Sequence, residues 1–279
     1  MTNEYRNSAK QALERASQAL NSNEETQLRY AALELRMALE CLVYERALNY
    51  KEELSNKKLN TWQPKQLIEI LLKINPNMDK SSTLSFGRQE AHGITAKEMH
   101  ILGTDRRISL KEIKDYYDRL GSYLHTPTLE QSVQGKGLPG EKLRESCQDL
   151  LIIVTDVLNS PIWNVDFKTT ESKDCDNCGK KIVRRLCASY DQIQAECIEC
   201  AASYTLTRTE NNVFMWSGNQ QKIACTNPIC ESETYIWDKD IKIGNAWTCQ
   251  SCGGRNSFVM GIEFIPKNKR PSGSGSDSI

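Results

Sequence analysis

Eight of the eleven cysteines in this chain fall into four close pairs in its C-terminal part, and nothing else in the sequence restricts the fold as strongly. Cys175 and Cys178 are followed by Cys197 and Cys200, and Cys225 and Cys230 by Cys249 and Cys252, with 18 residues between the inner cysteines of each set. That is the spacing of a four-thiolate zinc site. Two cysteines in a tight knuckle point both sulfurs at one ion, and two knuckles close a tetrahedron with no position left for water. Two structural zinc ions are therefore expected. The Cys225 to Cys230 gap is two residues longer than a standard knuckle and still within the permitted range. Sequential pairing makes each long gap one ribbon hairpin; crossed pairing, first pair with third and second with fourth, is the alternative.

Disulfides are the rival use of paired cysteines, and compartment separates the two. The N-terminus, MTNEYRNSAK, lacks the apolar core of a secretory signal, and no run approaches the ~20 apolar residues of a membrane span. The expectation is a cytoplasmic protein that does not engage a membrane. In that reducing setting cysteine pairs read as metal sites.

The two units resemble tandem zinc ribbons over about Asp174 to Ile265. Short β-like runs lie between the pairs: Ser203 to Thr207, Val213 to Trp216, Thr234 to Trp237 and Phe258 to Met260. Gly179 after the first pair and Gly253-Gly254 after the last supply the positive-φ positions that a knuckle demands. The boundaries read as ribbon 1 over 174–223, ribbon 2 over 224–265, and a Ser/Gly-rich disordered tail over 266–279 with the small cluster Lys267-Asn268-Lys269-Arg270. A connector over 161–173, β-like from Ile162 to Lys168, precedes them.

Ribbons commonly bind nucleic acid or protein. Four of the five tryptophans (Trp163, Trp216, Trp237, Trp247) and the basic run Lys180, Lys181, Arg184 and Arg185 lie here, a combination that suits nucleic acid. The competing account is that a module this small needs its aromatics for packing. Charge favours that account. From Glu171 onward 13 Lys and Arg balance 13 Asp and Glu, as 36 balance 36 over the whole chain, so only a local patch could attract phosphate.

The first 160 residues have helical periodicity instead. Tyr5, Ala9, Ala12, Ala16 and Leu20 mark a first helix, broken at Asn21-Ser22-Asn23. Leu28, Ala31, Leu35, Ala38 and Leu42, widened by Leu39 and Val43, mark a long second helix over about Glu24 to Glu53 with Glu34, Arg36, Glu40 and Arg46 near its wet side. Cys41 within it reads as core. Pro64 opens a third helix through Leu72. The stretch Met78 to Arg107 has no regular pattern, and His92 and His100 within it read as exposed positions. Ser109 with Glu112 forms a capping box for a fourth helix marked by Ile113, Tyr117, Leu120 and Leu124. After a Gly-rich turn over 134–140, a fifth helix from Glu141 to Asn159 buries Leu143, Leu150, Leu151, Val154 and Val157. The fold class is thus multidomain α plus small β: an N-terminal helical bundle over 1–160 with two C-terminal zinc-ribbon modules.

The fourth helix ends Arg119-Leu120-Gly121-Ser122-Tyr123-Leu124-His125, and the second contains Arg29-Tyr30-Ala31-Ala32-Leu33-Glu34-Leu35-Arg36-Met37-Ala38-Leu39-Glu40. Here the first 160 residues resemble the HEPN superfamily of helical bundles, whose nucleases carry an Arg-x4-6-His motif near a helix end. The resemblance implies metal-independent RNA cleavage by a homodimer that brings two motifs together. His125 would be the general base on a ribose 2'-hydroxyl. Arg119 would hold the scissile phosphate in its planar fork. It also implies a setting of toxin systems and antiviral defence. Active members usually have a polar residue after the arginine, where this chain has Leu120. The other reading of these two residues is a solvated arginine and a helix C-terminal cap. Two functions follow: an endoribonuclease whose ribbons position RNA, or a non-catalytic adaptor that dimerises through its helices and binds nucleic acid or a protein partner.

Overall fold

The structure, a computed structural model, describes residues 2–22, 24–54, 58, 63–90, 94, 96–126, 129, 133, 140–165, 169–186, 190–211 and 213–261. Two compact units emerge: residues 1–174 with 179–191, and residues 175–178 with 192–279.

Among the described residues the first unit contains five long helices: α1 (Thr2–Leu20), α2 (Glu25–Ala47), α3 (Pro64–Ile74), α4 (Leu110–Leu124) and α5 (Gly140–Leu158). Helix α2 is the centre, touched by the other four. Its expected stripe is buried, with Ala31, Leu35, Ala38 and Leu39 completely so. It stops at Ala47 and tightens into a 3-10 turn, Leu48–Tyr50, earlier than periodicity alone suggests. Surrounded on so many sides, α2 has little wet face C-terminal to Met37. Glu34 pairs with Arg15 at 2.8 Å, Glu40 accepts from the Tyr117 hydroxyl at 2.8 Å, and Arg46 grips the buried Asp105. Glu45, also buried, pairs with Arg6, whose guanidinium further donates to the carbonyls of Val157 and Leu158 and stacks on Trp163. Cys41 is only half-buried, whereas Cys147 on α5 is fully buried, and burial pushes its thiol up to about 12. The Ser109–Glu112 capping box is present in both directions. Leu151 on α5 is half-buried, unlike its neighbours Leu150 and Val154.

The patternless stretch before α4 contains an antiparallel hairpin, β1 (Ser82–Phe86) and β2 (His100–Asp105), with a bulge between Leu84 and Ser85. His100 is exposed at the start of β2 and stacks on Phe86, centroids 5.4 Å apart; His92 lies outside the described residues. Asp105 at the far end is the anchor, held by Arg46 and Arg107. Residues 162–165 form no strand. They serve as acceptors and donors: Arg107 donates to the Val165 carbonyl, and Asn164 exchanges bonds with Glu45 and Asn49 through backbone and side chain.

A second hairpin, β3 (Thr170–Asp174) and β4 (Lys181–Arg185), belongs to the helical unit although it flanks the first cysteine pair. Arg184 donates to the carbonyls of Leu72 and Lys73 at the end of α3. Arg185 donates to Glu53 and to the Asn49 carbonyl and lies 3.8 Å over the Tyr50 ring. Both arginines of the basic run are therefore buried ties, and only Lys180 and Lys181 of that run face solvent.

The second unit is built from small antiparallel sheets. Strands β5 (Gln192–Glu196), β6 (Ser203–Arg208) and β7 (Phe214–Gly218) form one of three strands in that order. Strands β8 (Gln220–Ala224) and β9 (Glu233–Trp237) form a hairpin, as do β10 (Ala246–Thr248) and β11 (Arg255–Ser257). The last strand thus precedes Phe258 to Met260, the run that hydropathy favours. Phe258 instead stacks on Trp247 with centroids 4.9 Å apart.

Candidate metal centres

Each cysteine set converges to one point. Cys175, Cys178, Cys197 and Cys200 form one cluster and Cys225, Cys230, Cys249 and Cys252 the other, with all four sulfurs of a cluster within 4.8 Å of one another. Pairing is therefore sequential. Cys175 Sγ is 3.6 Å from Cys200 Sγ and Cys178 Sγ is 3.6 Å from Cys197 Sγ; the corresponding distances in the second cluster are 3.7 and 3.8 Å. A disulfide needs about 2.05 Å, and none joins the described cysteines. A tetrahedron with Zn–S of about 2.3 Å has edges of about 3.8 Å. The sulfurs thus fit a zinc ion in each cluster, and four thiolates leave no coordination position for a substrate.

The knuckles obtain their shape from backbone bonds. The N–H of Ala201 donates to the Cys197 carbonyl at 2.8 Å and that of Gly253 to the Cys249 carbonyl at 2.9 Å. The N–H of Cys197 donates to Ala202 and that of Cys249 to Gly254, both at 2.8 Å, so the two knuckles repeat one another bond for bond. The turn needs a left-handed residue after the second cysteine. Gly179 (φ +69°) and Gly253 (φ +70°) provide it as expected, but the third such position is Ala201 at φ 58°.

What surrounds the sulfurs differs between the clusters. In the first, Cys175 and Cys197 are buried beside Tyr204, which is fully enclosed. The Tyr204 hydroxyl accepts from the Asp176 N–H at 2.8 Å and donates to Cys175 Sγ at 3.5 Å. Its ring meets Trp216 and Trp237 edge-on, at 5.9 and 5.1 Å, so a residue of β9 completes the core of the preceding ribbon. Burial pushes the Cys197 thiol up to about 12. Burial acts the same way on Cys175, but the Tyr204 hydroxyl and the N–H groups of Asn177 and Cys178 together outweigh it and bring that thiol down to about 6. A divalent ion would supply the charge that replaces the remaining protons.

In the second cluster only Cys249 is buried, and Cys252 is exposed. Polar side chains hold it. Ser232 Oγ lies 2.8 Å from Cys249 Sγ and 3.2 Å from Cys230 Sγ. The Ser232 hydroxyl, with the N–H groups of Cys252 and Ser251, lowers the Cys249 thiol to about 6. Asn256, 3% exposed, accepts from the Thr226 N–H and hydroxyl at 2.8 and 2.7 Å and offers its amide to Cys225 Sγ at 3.7 Å. Spacing alone does not announce these partners. Tyr204 has a sequence signal, the alternation Ala202, Tyr204, Leu206 along β6; Asn256 has none.

Arg119 and His125 lie at the end of α4. Arg119 is exposed over the Tyr116 ring at 5.4 Å and, among the described residues, forms no ion pair; the neighbouring Asp118 pairs with Lys65. His125 is the exposed C-cap residue of α4, and Leu120 between them is completely buried.

No family model, no curated protein and no solved structure matches this chain, so no family is assigned to it. No helix among the described residues is long and apolar enough to cross a membrane.

Proposed function

We propose that this zinc-binding chain is a non-catalytic adaptor whose ribbon unit presents a rigid surface to a protein partner. The charge of that unit carries the reading. Over residues 175–178 and 192–279, eight Lys and Arg stand against ten Asp and Glu. Eight thiolates around two divalent ions add a formal excess of about four negatives. Such a unit repels phosphate backbones. It does expose Met215, Ile229, Tyr235, Ile243, Val259 and Met260, the apolar and aromatic side chains that protein interfaces favour. The helical unit pairs two copies: Tyr30, Leu33 and Met37 form an exposed stripe along α2 at helical spacing.

A photo-crosslinking residue at Tyr235 in the source cells tests the partner class. Adducts to one protein species, lost when Met215→Glu is added, are the expected outcome; recovery of RNA at that position instead would overturn it. Sedimentation of the full chain should show a dimer that Met37→Glu dissociates.

The second reading is the HEPN-type endoribonuclease, supported by the joint exposure of Arg119 and His125 at one helix end. It requires cleavage of RNA that persists in EDTA, leaves 2',3'-cyclic phosphate ends and disappears in His125→Ala. Arg119→Lys would also lose most of the rate, because an ammonium has no bidentate grip. RNA left intact by pure dimeric protein removes this reading and leaves the adaptor.

A further inference from the structure

We infer that the free edge of β1 is a docking site for an extended, acidic peptide segment of a partner protein, which adds to the β1–β2 hairpin as a third strand. This site lies on the helical unit and goes beyond the ribbon surface proposed above.

The geometry comes from a groove of about 560 Å³ open to solvent. Ser81, Ser82, Thr83 and Leu84 line it in unbroken succession, and no residue of β2 does. Side chains alternate across a strand, so a face contributes every second residue. Three successive strand residues, Ser82 to Leu84, mean that the groove runs along the backbone edge, on the side away from β2. The apolar Ile162, Val165 and Leu186 also line the groove, with Tyr190 and the polar Asn75 and Asn77. That is a trough for main-chain pairing with apolar contacts for alternate side chains, the arrangement of strand addition.

Charge and proline, two of the usual devices against strand addition, are missing from residues 81–87, SSTLSFG, and the bulge at Leu84–Ser85 confines the regular edge to the stretch that ends at Leu84. A two-stranded hairpin is itself only marginally stable in water, so a third strand has a structural effect to exert.

Charge selects the occupant. Among the described residues Lys80, Arg107 and Arg185 line the groove and no Asp or Glu does. The two arginines are already held by Asp105 and Glu53, whereas Lys80 is exposed and touches the Asn77 side-chain oxygen at 2.9 Å. An Asp or Glu in the incoming strand can reach its ammonium. A second copy fits poorly, because antiparallel pairing of β1 with itself across Leu84 sets Lys80 opposite Arg88, and like charges facing across strands are destabilising.

Selection of a displayed random twelve-residue library on the full zinc-loaded chain tests this. Enrichment of proline-free sequences that alternate β-branched residues with Asp or Glu is expected. The best peptide should bind Lys80→Glu at least about tenfold more weakly and bind Tyr235→Glu unchanged, which separates this site from the ribbon surface. Adjacent residues of an edge strand turn their N–H groups to opposite sides, so one of Thr83→Pro and Leu84→Pro removes a groove-facing donor without touching the β1–β2 ladder. That variant should stay folded and lose the peptide. Absence of any enriched peptide, or binding that survives both Lys80→Glu and the folded proline variant, would overturn the inference.

Discussion

The two four-cysteine clusters share a ligand set, a spacing and a knuckle geometry, yet they are supported in opposite ways. The first sits against an apolar core, with Tyr204 enclosed by Trp216 and Trp237. The second sits in a shell of short polar side chains, Ser232, Thr226 and Asn256, with one ligand buried where the first has two. A ribbon that owns a core can keep part of its fold when the ion leaves. One held by hydrogen bonds to the ligands themselves cannot, because its partners orient nothing once the sulfurs separate.

Metal removal is the largest perturbation available. Native mass spectrometry should find two zinc ions per chain, and structural zinc sites of this kind contribute on the order of 10–16 kcal/mol of apparent folding free energy. Chelator titration should release the ions in two phases, the second cluster first. Cys252→Ser should leave one ion bound and Cys178→Ser should disturb the ribbon unit more widely, with helical circular dichroism preserved in both. Simultaneous release would erase the distinction drawn above.

Arg185→Ala should be next in size. The guanidinium is 2% exposed and its loss strands the Glu53 carboxylate, 9% exposed, without its charge partner. The expected cost is about 3–5 kcal/mol, read from the denaturant midpoint of the helical transition. Zinc stoichiometry should remain two, since Arg185 touches no ligand.

Smaller effects separate the shells around the ions. Tyr204→Phe removes one bond to sulfur and Asn256→Ala removes a hub of three, so zinc affinity should fall roughly 10- to 100-fold in each, toward the larger value for Asn256. Equal losses would mean that the aromatic core, unchanged in Tyr204→Phe, does not buffer the first site. The smallest effect should be a gain. Ala201 holds a left-handed conformation at φ 58° that glycine adopts without strain. Ala201→Gly should stabilise the first ribbon by up to about 1 kcal/mol, seen as slower zinc loss from that cluster.

The metal ligands were legible in the sequence because spacing alone determines which sulfurs can meet. Helices α1 to α5 were legible for a similar reason: their signals are local periodicity and, for α4, a cap only three residues long. The hairpin β1–β2 was not, since its strands mix Ser, Thr and Gly with few apolar residues and draw their anchorage from Asp105, a side chain whose partner Arg46 lies 59 positions away. Arg184 and Arg185 read in the sequence as part of a basic run suited to nucleic acid for the same cause. Their burial depends on α3 carbonyls and on Glu53, 132 positions from Arg185, which no window of sequence reveals.

Trp237 has a consequence for synthesis. The chain emerges from its N-terminus, so the first four ligand cysteines are available before β9 has been made. The nascent first ribbon can load its ion at that stage, but one side of Tyr204 faces water until Trp237 arrives, with Gly218 leaving the gap into which the indole fits. Gly218→Ala would put a methyl group 2.9 Å from that indole and force it to shift. The two ribbons are thus a pair in which the earlier one reaches its final form only when the later one is under construction.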